Sequence, residues 1–493
     1  MRAIDPDELA AAADEVRGKM PSKPRPKGRD HGPLAGIEDG RPVASDLRNM
    51  ERLHDALQGK VLFSDAGAFV WSGTYWRDDK AMAEAQAHRL SNLIRQEVQQ
   101  VLSRSLVESD PAVRKELDVQ IEMLAKAAKA AESSHVIESA LKMLRRELRV
   151  SASELNADAM VFNVLNGTID LHDGRLLQHD PADLITKVAP VHFDPNATCP
   201  VFLRFLREVF DDNDDLVGYM RRYVGYCLTG MTREHVLSVW LGGGANGKST
   251  LLNVILALMG DYAAPLDVGV LEMGRARDAS RDGYCFFGLR LLVASESHEG
   301  MRLREGYVKT ATGGDRLTGR KLYQEVFNFP PTHKLALVTN HQPNVDGTDA
   351  AIWRRINLVP FRQSFVGDQA DRRLPEKLLA ELPGILNWAL GGCLEWQALG
   401  LLPPAEVLHA TQTYRTEEDV IGQFTDEMTE ADARAVTRWS EIQAAYVDWC
   451  DENGHRAVSG KMLNKRLRER WGEKAFDKNN AHKAIVKGWK LRA

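Results

Sequence analysis

The chain has 493 residues, of which 44% are hydrophobic and 27% charged, with a formal net charge of −5. These values are ordinary for a globular protein of roughly two to four domains, and the nearly balanced overall charge is uninformative about nucleic acid. No run of about 18 apolar residues is present, which excludes a membrane-spanning helix and a membrane partner.

The N-terminal sequence lacks the apolar segment of a signal peptide and begins with acidic residues, so we expect a cytoplasmic protein, in a bacterium or an infected host cell. The cysteines are far apart and form no CxxC pair, which favours reduced, mostly buried thiols over a zinc site or disulfides. They are Cys199, Cys227, Cys285, Cys393 and Cys450.

Residues 1–45 contain the segment MPSKPRPKGRDHGP, which is rich in Pro, Lys and Arg and has little to bury. Such a composition predicts a flexible arm. A solvated linker and a basic segment that contacts DNA both fit its charges.

Residues 46–235 are predicted to form a mostly helical domain. Alternating apolar and polar residues over 61–76 predict a small hairpin around Ser72 and Gly73. Two long helical patterns follow, over 81–105 and 112–149. The segment VFNVLNGTIDLHDGRLL then predicts two short strands joined by a turn at His172, Asp173 and Gly174.

The segment LSVWLGGGANGKSTLL over residues 237–252 is the strongest signal in the chain, since it predicts a strand, a glycine-rich loop and a helix. Glycines let backbone N–H groups approach phosphate oxygens, Lys248 would reach the β and γ phosphates of ATP, and the Ser249 hydroxyl would ligate Mg²⁺. A glycine-rich turn that matches by chance would not need the flanking strand and helix. The predicted ATP-binding residues are Gly242, Gly243, Gly244, Ala245, Asn246, Gly247, Lys248, Ser249 and Thr250.

A second apolar run, GLRLLVASE over 288–296, predicts a strand that ends in a carboxylate. An acid beside a phosphate loop can hold the magnesium shell or orient the attacking water. Glu296 is the first candidate for this catalytic and metal-binding role. Glu299 is the second, because Ser297 replaces the usual adjacent acid. A solvated glutamate at the end of a surface strand is the alternative.

The segment KTATGGDRLTGRKLYQEVFNF over 309–329 predicts a hairpin with Arg320 and Lys321 at its tip. Cations on a projecting hairpin suit contacts with DNA phosphates inside a ring channel. An ordinary charged turn is the alternative.

Two further apolar runs complete the predicted nucleotide core. LALVTN predicts a buried strand that ends in Asn340, whose amide could sense the γ-phosphate or position water. AIWRRINLVPF predicts a strand that contains Arg354 and Arg355. One of them could be an arginine finger on the nucleotide of a neighbouring subunit, and either could instead form structural ion pairs.

Residues 391–419 are predicted to be a helical linker, and residues 420–493 to contain three amphipathic helices followed by a pair of strands, the proportions of a winged helix. From residue 454 onward the chain has twelve Lys or Arg against three acids. We expect Lys461, Lys465 and Arg466 to enter a major groove of DNA, with Lys483, Lys487 and Lys490 on its phosphate backbone. A solvated basic helix is the alternative.

In this order, the motifs GGGANGKST, LLVASE, KTATGGDRLTGRKLYQE, LVTNHQP and IWRRINLVPF resemble the superfamily 3 helicase core of the phage and plasmid primase-helicase family, which includes poxvirus and phage-satellite replication proteins. The similarity is strong over about 155 residues. The preceding region is similar to the helical domain that precedes the ATPase in that family.

The resemblance implies an α/β fold in which an AAA+ P-loop ATPase core (236–390) lies between a mostly helical N-terminal domain and a C-terminal winged helix. It also implies a homo-hexameric ring that binds ATP between subunits with Mg²⁺ and translocates 3′ to 5′ on single-stranded DNA. By position, it assigns phosphate and Mg²⁺ to Lys248 and Ser249, and the strand-end acid to Glu296. The third motif falls on Lys309 and Asp315, with Lys309 as a DNA contact, and the DNA hairpin on Arg320 and Lys321. The sensor is Asn340, and the finger is Arg354 or Arg355.

We therefore expect an ATP-dependent replicative DNA helicase of a phage, prophage or plasmid-like element, with a further role as replication initiator through its C-terminal domain. Expected partners are single-stranded and forked DNA, duplex origin DNA, and a separate primase, since the chain has no room for the primase domain that many family members carry. Two other functions fit the same motifs: an ATP-dependent origin-binding or loading protein that does not unwind DNA, and an ATPase for DNA packaging or defence.

Overall fold

The structure is a computed structural model that describes residues 43–274, 285–295, 298–320, 326–345, 350–366, 371–478 and 484–492. Its buried apolar side chains form four clusters. One lies among the N-terminal helices, one on each face of a central parallel sheet, and one in the C-terminal region.

The N-terminal region begins with a helix whose N-cap is Ser45, the side chain of which accepts a hydrogen bond from Arg48 N at 3.1 Å. A three-stranded antiparallel sheet and four helices follow. The predicted hairpin is confirmed, with Trp71 paired to Trp76. The elements are α1 (Asp46–Leu57), β1 (Val61–Ser64), β2 (Gly67–Trp71), β3 (Trp76–Asp78), α2 (Lys80–Ala85), α3 (Leu90–Val107), α4 (Pro111–Ala130) and α5 (Ser134–Glu147).

The two predicted long helices are each divided in the structure. A 3₁₀ turn over Gln86–Arg89 separates α2 from α3. A turn separates α4 from α5, where the Ser133 amide donates to Ala130 O at 3.0 Å instead of continuing the helix. Serine competes well for such local bonds, so this break is consistent with the sequence.

A second antiparallel sheet and two helices lead into the core. The turn at His172–Gly174 is present, but it joins the second and third strands, and a tighter turn at Leu165–Asn166 joins the first two. The prediction of two strands was therefore one strand short. The elements are β4 (Val161–Val164), β5 (Gly167–Asp170), β6 (Leu176–Leu177), α6 (Pro200–Val209) and α7 (Asp214–Leu228).

The central sheet has five parallel strands in the order β13-β7-β12-β9-β8. Both faces are covered, since neighbouring residues of β7 face different clusters, Trp240 on one side and Val239 on the other. This explains why these strands are continuous apolar runs in the sequence. The strands are β7 (Leu237–Leu241), β8 (Ala263–Leu266), β9 (Leu291–Ser295), β12 (Lys334–Thr339) and β13 (Ile356–Pro360).

Helices and one hairpin connect and cover these strands. The hairpin of β10 and β11 is antiparallel, as predicted, and its described part pairs Arg320 with Val326. The elements are α8 (Lys248–Met259), α9 (Glu305–Thr312), β10 (Leu317–Arg320), β11 (Val326–Phe329), α10 (Ala350–Trp353), α11 (Leu374–Ala380), α12 (Leu382–Leu399) and α13 (Ala405–Glu418).

The C-terminal region contains the three predicted helices and strand pair, together with a ten-residue strand that the sequence analysis did not predict. Its sheet has the order β14-β16-β15 and is antiparallel. The elements are α14 (Val420–Met428), β14 (Thr429–Arg438), α15 (Trp439–Glu452), α16 (Gly460–Trp471), β15 (Phe476–Lys478) and β16 (Ala484–Leu491).

Two sequence expectations can be compared directly with the fold. All five cysteines are free thiols and four of them are buried, as predicted. Within the described ranges, every helix is either too short or too polar to cross a membrane.

Candidate active site

The candidate site lies at the carboxyl edge of the parallel sheet, where residues 242–247 join β7 to α8. Two positions of this loop have room only for glycine. A Cβ on Gly242 would lie 2.2 Å from Asn246 Nδ2 and 2.4 Å from Phe361 O. Gly247 has φ +83°, and a Cβ there would lie 2.6 Å from Val209 Cγ2. The glycines therefore fix the path of the loop against neighbouring elements.

Lys248 begins α8, and its side chain turns back over the loop. Its ammonium donates to Gly242 O at 2.5 Å, to Asn246 Oδ1 at 3.0 Å and to Asn340 Oδ1 at 3.2 Å. The residue is only 4% exposed, and burial lowers the pKa of its ammonium group. Among the described residues the acceptors of this ammonium are neutral oxygens, so no acid in this part of the chain offsets its charge toward an anionic ligand.

The remaining predicted ATP-binding residues lie in the same loop and in the first turn of α8. Gly243, Ala245 and Ser249 are exposed, whereas Gly244 and Thr250 are half-buried. Ser249 and Thr250 lie in the first turn of α8, where free backbone N–H groups and the helix dipole favour an anion. A hydroxyl, an ammonium and helix N–H groups together are a donor set that fits a nucleotide phosphate and its Mg²⁺.

The predicted acids are placed only in part. Glu296 and Ser297 lie outside the described residues. Strand β9 ends at Ser295, which pairs with Val338 of β12, so the end of β9 is at the same edge as the loop. Glu299 is exposed in a turn. Asn340 directly follows β12, and the structure brings this predicted sensor into contact with Lys248.

The hairpin is anchored at its base by aromatic side chains. Phe327 and Phe329 are buried and meet the ring of Phe287 edge-on, at centroid distances of 5.4 and 5.3 Å. Arg320 is exposed at the end of β10. Lys321 lies outside the described residues.

Two residues of the predicted third motif precede this hairpin. Lys309, in α9, forms an ion pair with Glu305 at 3.6 Å. This i,i+4 pair reduces the positive charge that Lys309 offers to DNA. Asp315 is exposed in the segment between α9 and β10.

The two arginines do not lie in a strand, as the sequence had suggested, but in the turn between α10 and β13. The apolar run that predicted the strand begins only at Ile356, and α10 precedes the turn. Arg355 has a structural role, since its Nη1 donates to Ala351 O at 2.6 Å and its carbonyl accepts from Leu237 N at 2.7 Å. Arg354 is exposed, which makes it the better candidate for contact with another subunit.

Most of the predicted C-terminal cations are paired with acids. Lys465 and Arg466 both lie 3.9 Å from Glu469. Lys487 pairs with Asp477 at 2.5 Å. The sequence analysis did not consider these acids. Glu469 lies one helical turn from its partners, and Asp477 lies on a neighbouring strand.

Of two further C-terminal lysines, one is paired with acids and the other is exposed. Lys490 pairs with Glu430 at 2.8 Å and with Asp432 at 3.3 Å, both from β14. Lys461 is exposed at the start of α16. Lys483 lies outside the described residues.

Sequence reasoning missed two buried cations at the opposite, amino edge of the sheet. Arg290 precedes β9 and donates to Val161 O at 2.6 Å and to Leu228 O, and Lys334 begins β12 and donates to Thr229 O. Both are about 4% exposed. Neither residue lies in a recognisable motif. In the sequence, only their position next to apolar runs distinguishes them from other arginines and lysines.

Residues 50–211 match the protein family described as D5 N terminal like. The chain is also similar to three viral proteins over part of its length. It is 28% identical over 282 residues to "Putative helicase L207/L206" of Acanthamoeba polyphaga mimivirus, 26% identical over 272 residues to "Putative helicase 022R" of Frog virus 3, and 23% identical over 328 residues to "Putative primase C962R" of African swine fever virus.

These alignments cover 52%, 51% and 61% of this chain but only 29%, 28% and 34% of the three relatives. Among solved structures, the chain is similar to the apo structure of the NrS-1 C terminal region (305-718), with a TM-score of 0.38 and 11% identity over 60% of this chain and 77% of that chain. The chain thus contains a segment that matches this family and is similar in sequence, over part of its length, to viral proteins named as helicases or primases.

Proposed function

We propose that the chain is an ATP-dependent DNA helicase of the superfamily 3 type that acts in replication of a phage, prophage or plasmid-like element. The observation that carries the proposal is the ammonium of Lys248, held at the start of α8 by Gly242 O, Asn246 Oδ1 and Asn340 Oδ1. The similarity to viral proteins named as helicases supports the choice of nucleic acid as substrate.

The nucleotide would bind across the loop and the first turn of α8. Lys248 would contact the β and γ phosphates, and Ser249 would hold Mg²⁺, which when bound neutralises charge on the phosphate oxygens. The exposed amide of Asn340 shares the ammonium and lies beside the expected γ-phosphate, so it would sense the terminal phosphate. Glu296, which follows β9 in the sequence, remains our candidate for orienting the attacking water.

The strand order supports an AAA+ core for this chain. Strand β12 lies between the loop-bearing β7 and β9, so Asn340 is placed between Lys248 and the end of β9. The exposed Arg354 would complete the nucleotide site of the next subunit in a homo-hexameric ring. Arg320 on the anchored hairpin would contact the single strand in the channel and move with ATP turnover, in the 3′ to 5′ direction.

The C-terminal region would bind duplex DNA as a winged helix. Its element order, α14-β14-α15-α16-β15-β16, and its small antiparallel sheet support this assignment. Lys461 is the cation of α16 best placed for it, since Lys465 and Arg466 share Glu469. A role in origin binding would follow from such a domain, and a separate primase would supply the primers for replication.

A forked DNA duplex with a labelled strand tests the proposal. We expect ATP-dependent strand separation by the purified chain and its loss in Lys248→Ala. Arg95→Ala, an exposed arginine far from the loop in sequence, is the control and should unwind normally. ATP-dependent assembly on DNA without strand separation would instead favour a loading protein, and turnover that is indifferent to DNA would favour another ATPase function.

A mixing experiment tests whether two subunits share the site. Lys248→Ala and Arg354→Ala should each abolish ATP hydrolysis alone. In an equal mixture, about one quarter of the interfaces would join an intact lysine to an intact arginine, so hydrolysis should reappear at roughly that level. A mixture that stays inactive although both variants assemble would contradict a shared site.

A further inference from the structure

Asn246 differs from its neighbours in the glycine loop because its side chain is buried. The residue is 3% exposed, whereas Ala245 before it is exposed. Its amide contacts two groups: Oδ1 accepts from Lys248 Nζ at 3.0 Å, and Nδ2 donates to Phe361 O at 3.4 Å. A side-chain amide carries a donor on one side and an acceptor on the other. If the amide were reversed, its NH₂ group would face the Lys248 ammonium and its oxygen would face Phe361 O, so neither hydrogen bond could form.

The loop is built to hold this amide in place. Gly242 leaves the space that Nδ2 occupies, since a Cβ at that position would lie 2.2 Å from it. On the other side, Phe361 is a fixed partner. Its ring is buried against Trp240 and Phe210, and its amide donates to Leu241 O at 2.7 Å. The contact with Phe361 O therefore orients the amide, and the amide presents Oδ1 to Lys248.

This orientation determines which proton of Lys248 can reach a ligand. The ammonium has three N–H groups and three acceptors. Two of these acceptors belong to the loop itself: Gly242 O is a backbone carbonyl, and Asn246 Oδ1 belongs to a buried side chain. The third acceptor, Asn340 Oδ1, belongs to an exposed residue at the end of a different strand. Two contacts thus clamp the ammonium, and the third N–H can be exchanged from Asn340 to a phosphate oxygen.

We propose that Asn246 is a positioning residue that aims the Lys248 ammonium at the transferred phosphate and links this aim to strand β13. Phe361 directly follows β13, and the Arg354 turn directly precedes it. Contact of a neighbouring subunit with Arg354 would shift β13. The buried amide of Asn246 would transmit this shift to Lys248. The inference rests on the proposed ATPase function.

Two variants and a matched control test this role. Asn246→Ala removes both contacts, and Asn246→Asp keeps an acceptor for Lys248 but loses the donor to Phe361 O. The control is Asn253→Ala, an exposed asparagine on helix α8, which follows the loop. The measurements are kcat at saturating ATP, the Kd of a non-hydrolysable ATP analogue, and the midpoint of thermal unfolding.

We expect Asn246→Ala and Asn246→Asp to lower kcat about tenfold or more, as a displaced catalytic group does, while Asn246→Ala changes the Kd of the analogue by less than about threefold. Asn253→Ala should match the wild type. Normal kcat in Asn246→Ala, or equal loss of kcat and affinity with a lowered unfolding midpoint, would overturn the proposal, and normal kcat in Asn246→Asp would overturn the link to β13. Full ATP hydrolysis by Lys248→Ala would instead refute the assignment of the ATPase site to this loop, on which the inference rests.

Discussion

Replacement of Lys334 by methionine should change how the stability of the core depends on pH. Lys334 is 4% exposed at the start of β12, where its Nζ donates to Thr229 O and lies 4.6 Å from the centre of the Tyr226 ring. Burial, reinforced by the nearby Arg290 guanidinium, lowers the pKa of its ammonium to about 7. The folded chain thus releases a proton that the unfolded chain keeps up to its ordinary pKa of 10.5.

The sign and size of the effect follow from this difference. Between pH 7 and 10.5 the unfolded state binds more protons than the folded state, so the free energy of unfolding rises with pH. From pH 7 to pH 9 the two pKa values give a gain of about 2 kcal/mol. Above pH 9 the trend should weaken, because burial raises the thiol pKa of Cys227 to about 11 and of Cys393 to about 12, and these thiols act in the opposite direction.

The assay is urea unfolding of wild type and Lys334→Met at pH 7, 8 and 9, monitored by tryptophan fluorescence. Groups that do not interact with Lys334 titrate alike in both proteins, and in the folded state Cys227 and Cys393, whose pKa values Lys334 itself lowers, titrate above this pH range. The difference between the two profiles therefore isolates Lys334. The wild type should gain about 2 kcal/mol relative to the variant across this range. Lys129→Met, at an exposed position of α4, is the control. Parallel profiles for wild type and Lys334→Met would refute the assigned pKa and its cause.

Three further predictions concern separate parts of the chain. Gly247→Ala should abolish nucleotide binding, measured with a fluorescent ATP analogue, because its φ of +83° and the 2.6 Å approach of Val209 Cγ2 exclude a Cβ; unchanged affinity would contradict this packing. Phe329→Ala should cost about 3 to 5 kcal/mol in urea unfolding, whereas Val326→Ala on the same strand, 54% exposed, should cost little; equal costs would refute the anchored base of the hairpin. Deletion from Val420 onward should remove affinity for duplex DNA, measured by fluorescence anisotropy, and spare ATP hydrolysis; equal binding by the truncated chain would refute the assignment.

Local patterns predicted the elements of the central sheet well. The apolar run at 239–241, the glycines and the following helix are confirmed as β7, the loop and α8, because each depends on neighbouring residues in the sequence. The strand before Asn340 is confirmed for the same reason. The contact of Asn340 with Lys248 could be expected only through the family resemblance. It depends on the order of the strands in the sheet, which packing determines and which an apolar run does not reveal.

Long-range partners explain the predictions that were incomplete or wrong. Lys490 was predicted to contact DNA because the sequence near it is basic, and its ion pairs with Glu430 and Asp432 across the sheet were not predicted. The strand of these two acids, β14, was not predicted, so neither was the pairing. The contact of Lys490 with DNA stays a prediction. Arg354 and Arg355 were placed in a strand because the apolar run follows them immediately, whereas the structure ends α10 just before them.

The two edges of the central sheet show why a buried cation alone does not identify a ligand site. At the amino edge, Arg290 and Lys334 donate to Leu228 O and Thr229 O, the free carbonyl groups at the end of α7, whose dipole favours positive charge. These cations are enclosed, and burial lowers the pKa of both. Lys248 is also held by neutral oxygens, but one of them belongs to an exposed asparagine. A phosphate can replace that one acceptor without opening the core, so we expect the nucleotide phosphates at the carboxyl edge, whereas the cations of the amino edge stabilise the sheet.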